Sequence, residues 1–147
     1  MKAKTFIIFV TLLVSTIFSN SSFAQTNEAM KDWEIIHQES GITLYAKKEN
    51  CKIGNSKLPN VYAFVKIVND NTVDKTVNFT FGLQYEEECN GCSAGSEFSI
   101  KQIVPSNSSI EADCSFENSD LSRIISNPNL KGGWNFQAIK ITNILID

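Results

Sequence analysis

The feature that most constrains this chain is the run VNFTFGLQY. Val77, Phe79, Phe81, Leu83 and Tyr85 alternate there with Asn78, Thr80, Gly82 and Gln84 over nine residues. Side chains repeat their direction every second residue in a strand, but every third or fourth in a helix. Strict alternation of this length therefore predicts a half-buried antiparallel strand and excludes an amphipathic helix. VYAFVKIVN, Val61 to Asn69, reads the same way. Val61, Ala63, Val65 and Ile67 share one face, and Tyr62, Phe64, Lys66 and Val68 take the other. DNTVD, Asp70 to Asp74, is the turn between the two runs.

Shorter β-rich runs flank this pair. Trp33 to Gln38 and Ile42 to Lys47 read as strands broken by Glu39-Ser40-Gly41, and Lys48 to Asn60 reads as a polar loop. Phe98 to Val104 is the next strand, with a turn at Pro105 to Ser108. Ile110, Ala112, Cys114 and Phe116 then alternate with Glu111, Asp113 and Ser115, predicting a further strand. Ser119 or Asp120 could cap a single helical turn through Leu121 to Ile125, ended by Pro128. Beyond Gly132-Gly133, Phe136 to Ile146 forms a long closing strand. About seven short strands separated by regular turns predict an all-β, antiparallel β-sandwich, with at most one short helical turn near 119–126. The layout resembles small exported immunoglobulin-like or fibronectin-like domains over roughly Trp33 to Ile146. That resemblance is one of architecture, and architecture carries no function with it.

The N-terminus asks for separate treatment. In MKAKTFIIFVTLLVSTIFSNSSFAQ, Lys2 and Lys4 precede an apolar run from Phe6 to Phe18, and Ser22-Phe23-Ala24 supplies small residues at a cleavage site. This is the pattern of a secretory signal peptide over residues 1–24, and the apolar run is short for a spanning helix. The first cysteine after it is Cys51, too distant for lipoprotein processing. Residues 25–31 read as a disordered lead-in, and 32–147 as one sandwich domain. No later stretch is long and apolar enough to span a bilayer as a helix. Removing the signal takes two basic residues and no acidic one, so the net charge moves from −3 to −5. Without a concentrated basic face, nucleic acid and anionic membrane surfaces are poor partners. The expected location is periplasmic or extracellular.

Export also sets the redox context. Cys51, Cys89, Cys92 and Cys114 in an exported chain are most simply two disulfides. If the strands from Val61 onward alternate in direction, all four cysteines come to the end of the domain where the Val61 strand begins. The favoured pairing is Cys89 with Cys92 and Cys51 with Cys114. The rival is Cys92 with Cys114 and Cys51 with Cys89.

EEECNGCSAG, Glu86 to Gly95, carries the sharpest chemical motif. A redox Cys-x-x-Cys sits at a helix N-terminus, where backbone N–H groups stabilise the thiolate. Here loop residues follow, the preceding glutamates raise a thiol's pKa, and Asn-Gly suits a two-residue hairpin turn. A four-thiolate zinc site has the right ligand count but lacks the usual second close pair. His37, the single histidine, has no catalytic companions in sequence, and Glu111 and Asp113 share a strand face as any solvent-facing pair would. Trp33 and Trp134 read as packing residues, Trp134 being the better ligand platform because it lies in a loop. Asn78-Phe79-Thr80 and Asn107-Ser108-Ser109 match the glycosylation sequon. No catalytic constellation, cofactor motif or metal spacing emerges. The sequence points to a non-enzymatic binding module that meets a protein or carbohydrate partner through its cysteine-bearing end or a sheet edge. The alternative is a thiol or metal-binding protein acting through Cys89 and Cys92.

Overall fold

The structure, a computed structural model, describes residues 32–55, 58–86, 88–126 and 135–147. The signal segment, the lead-in, Pro128, Gly132, Gly133 and Trp134 lie outside the described residues. Two antiparallel sheets account for nearly all the regular structure. The first holds β1 (Glu34–Glu39), β2 (Ile42–Cys51), β3 (Asn60–Asn69) and, on the far side of β3, β7 (Ser108–Glu111) and β8 (Ser122–Ser126). The second is built on β4 (Lys75–Tyr85), with β9 (Phe136–Ile146) along one side and β5 (Cys89–Asn90) and β6 (Ser99–Val104) along the other.

Period-two patterning explains how the sheets meet. Opposed residues of an antiparallel pair share a face. The pairs Ile42–Asn69, Leu44–Ile67 and Ala46–Val65 are fully buried on one face of the first sheet. Val77, Phe79, Phe81, Leu83 and Tyr85 are buried on the facing side of β4, within the same core. The arrangement is β-sandwich-like. Asn69, fully buried, is a polar group inside it. Its Nδ2 donates to the carbonyls of Val73, Val104 and Pro105, while its Oδ1 accepts from the Asn71 N–H, so one amide ties β3 to the end of β6.

Four expectations need correction. The strand expected through Phe116 stops at Glu111, and 112–118 forms turns. Its alternation reflects a different layer, because Phe116 packs on Tyr62 and Phe64 across the outer face of the first sheet. The helical turn expected to reach Ile125 is a single 3₁₀ turn, Ser119–Leu121, and the next five residues are β8. β-branched Ile124 pairs with Tyr62 of β3 there, Ile125 sits in the bulge beside it, and tertiary pairing outweighs the local cap signal. The loop expected from Lys48 begins only after Cys51, because β2 stays paired with β3 that far. With β5 and β8 added, nine strand segments are found among the described residues. No helix among them is long and apolar enough to cross a membrane.

Candidate functional site

The cysteines pair as favoured, Cys51 with Cys114 and Cys89 with Cys92, with Cα separations of 5.5 and 5.7 Å. Alternating strand direction does bring both bridges to one end of the molecule. Tyr85, at the end of β4, donates its hydroxyl to the Ile125 carbonyl beside the start of β3. The bridges nevertheless lie on opposite outer faces. Cys51 is opposed to Asn60, so it shares the outward face of Tyr62, Phe64 and Lys66. The second bridge covers Gly82 on the outward face of β4, where an added Cβ would meet Cys92 Sγ and lie 3.2 Å from Cys89 Sγ.

Each bridge pins a loop across a sheet. The Cys51–Cys114 bridge holds 112–118 over an aromatic layer in which Tyr62 meets Phe116 edge to face, with ring centroids 4.9 Å apart. Trp33 belongs to this layer, with Lys47 Nζ 4.7 Å and Lys66 Nζ 5.9 Å from its ring centre. Burial of Phe64 and the two lysines over Trp33 make this a secondary core more than an open ligand platform. On the other face, the Cys92 carbonyl accepts from Thr142 Oγ1 at 2.9 Å, anchoring the CNGC turn to β9. Gly91 takes the turn at φ +80°, a conformation that suits glycine.

The remaining sequence candidates disperse. Glu111 pairs with Lys66 at 3.0 Å, whereas Asp113 accepts from the Ser115 N–H at 2.7 Å in the following turn. The Ser115 hydroxyl and N–H hold the Asp113 carboxyl below its usual range. The two acids therefore do not form a working pair. His37 Nε2 sits 3.3 Å from Glu39 Oε2 on the edge strand β1. Asn78 is half-buried within its sheet and Thr80 is only 1% exposed, while Asn107 is exposed in a turn at φ +49°. Among the described residues no three His, Cys, Asp or Glu side chains converge as a metal site requires.

A cleft of about 490 Å³ opens instead on the side of the molecule where β6 and β8 approach each other. Ser99, Ile100 and Lys101 form one wall, Ser122 and Ile124 the other, and Glu97 and Asp120 lie at the rim. Arg123 closes its base. The ladder along this side of β4 runs from Val77 and Phe79, opposite Gln102 and Ile100, to Phe81, whose N–H donates to the Phe98 carbonyl. It resumes at Leu83 opposite Asn90. Between β6 and β5 the Phe81 carbonyl meets no strand on this side among the described residues, and Arg123 Nη1 donates to it at 2.8 Å. The guanidinium lies on the Phe98 ring, 3.1 Å from its centre. Burial lowers the Arg123 pKa, and burial raises that of Tyr85, with Arg123 pulling Tyr85 the other way.

Arg123 and Gly82 escape a reading of motifs, although each leaves a trace. Arg123 is the chain's single arginine beside twelve lysines, and a planar guanidinium suits a site where stacking and a directed donor are both required. Gly82 interrupts a bulky alternating strand, which marks a close approach from the outside. Compared with known protein families, curated proteins and solved structures, the chain matches none of them.

Proposed function

We propose that this protein is an exported, non-enzymatic binding module. In this reading residues 32–147 form one immunoglobulin-like or fibronectin-like sandwich, working in the periplasm or outside the cell. The observation that carries it is the cleft between β6 and β8, a concave space bounded by rigid strands and floored by the Arg123–Phe98 stack. Two bridges on opposite faces favour a scaffold that keeps its shape in an oxidising compartment. The scattering of His37, Glu111 and Asp113 supports binding over catalysis. Thiol or metal chemistry at Cys89 and Cys92 is the weaker alternative, since bonded sulfurs offer no thiolate to a metal and the motif opens on a turn and β6 instead of a helix N-terminus.

The test is capture of partners from the native exported fraction by the wild-type protein and by Ser99→Trp, which sets a bulky side chain on the exposed β6 wall at the outer lip of the cleft. A protein or glycan retained by the first and lost from the second is expected. Absence of any such partner, together with a reproducible turnover by the purified chain, would reverse the proposal.

A further inference from the structure

Resting on that cleft as a binding site, we infer that its occupant is an extended polypeptide segment, which pairs by its backbone with the free edge of β6. The argument starts from hydrogen-bond parity. Successive residues of an antiparallel strand direct their N–H and C=O groups to opposite sides. The Thr76–Asp147 exchange fixes even-numbered residues of β4 toward β9, and the Phe81–Phe98 bond fixes odd-numbered ones toward β6. Val77 and Phe79 therefore bond Gln102 and Ile100. Lys101 and Ile103, between and beyond these, turn their N–H and C=O groups away from β4.

The Lys101 groups face outward at the cleft wall and those of Ile103 continue the same edge beyond it, and β4 is the one strand paired with β6 among the described residues. The same parity on β8 directs Ile124 away from β3, because Ala112 bonds the Val65 carbonyl and places odd-numbered residues of β3 on this side. Two strand edges thus border one cleft. Ile103 is 62% exposed and Ile124 44%, so apolar side chains flank backbone groups that pair with no strand among the described residues.

Other edges are less suitable. The β9 edge is broken by register shifts near Asn143 and Phe136, and β1 carries a bulge at Ile36 with Glu34 and Glu39 at its ends. Bulges and charges of this kind protect an edge from pairing. β6 has regular register throughout and a single charge, Lys101. Its neighbours Glu97, Asp120 and Arg123 give the cleft both signs of charge, which suits a peptide better than a polyanion. Alternate side chains of the added strand would enter the cleft over Ile100 and Ile124.

A phage-displayed library of random linear peptides, panned against the full exported protein, supplies the probe. Enriched peptides are then synthesised and their affinities measured. Lys101→Pro removes the outward N–H without touching the β4 ladder, and should weaken binding on the order of tenfold, the value of about one lost hydrogen bond. Lys101→Ala should stay within about threefold of wild type, because it keeps the backbone donor. N-methylation of the peptide at alternate residues, which leaves the protein unaltered, should abolish binding in one phase and spare it in the other. Indifference to both Lys101→Pro and N-methyl phase would overturn strand addition while leaving a cleft binder. Failure to enrich any peptide over the Ser99→Trp bait would also overturn it. Peptides binding wild type and Ser99→Trp equally would remove the cleft itself.

Discussion

Gly82 shows how one missing side chain shapes a surface. It stands in the middle of β4, and the Cys89–Cys92 bridge occupies the space its Cβ would fill. Gly82→Ala should cost about 1–3 kcal/mol in urea unfolding, the usual range for overpacking. The penalty should shrink when Cys89→Ser and Cys92→Ser are also present, because the clash partner is then free to move. Tyr85 makes a second prediction at this scale. The folded protein holds its phenolic proton more tightly than the unfolded chain, through burial. The stabilisation is thus fully present below the ordinary value of 10.0 and is lost as pH rises through the folded value. Urea midpoints should fall on the alkaline side, and Tyr85→Phe should flatten that fall. An unchanged alkaline slope in Tyr85→Phe would assign it to another group.

Among the elements, β3 and β4 were legible because their alternation is long and their buried faces are continuous. The closing strand β9 was legible to its expected ends. β8 was not, since two adjacent isoleucines after Ser119 and Asp120 fit a capped helical turn as well as a strand. Segment 112–118 alternates like a strand for another reason, because Ala112 and Phe116 bury against different surroundings of the first sheet. Strand direction brought the four cysteines to one end and left two pairings open, but which face each bridge occupies depends on pleat and register, and these become visible only in three dimensions. The bridges should also differ in weight. With a sequence separation of 63, removing Cys51–Cys114 should cost about 4 kcal/mol. Removing Cys89–Cys92, separated by 3, should cost about 2 kcal/mol. Paired cysteine-to-alanine variants compared by chemical unfolding check the order, and equal losses would contradict it.

At the scale of the whole molecule, sheet edges distinguish this protein more than its core does. A sandwich buries its inner faces by necessity, whereas each open edge must be protected or used. Here β1 and β9 carry bulges, the gap beside Phe81 is filled by Arg123, and the regular β6 edge remains beside a cleft. The candidate site was not legible as a motif, because it is made of backbone groups and strand order. Amide hydrogen exchange by NMR on the unliganded protein tests this account most directly. Lys101 and Ile103 should exchange quickly, while Ile100 and Gln102, bonded to β4, should be protected by orders of magnitude. Protection of all four amides in the free protein would show that the β6 edge is already occupied, and would contradict the proposed site.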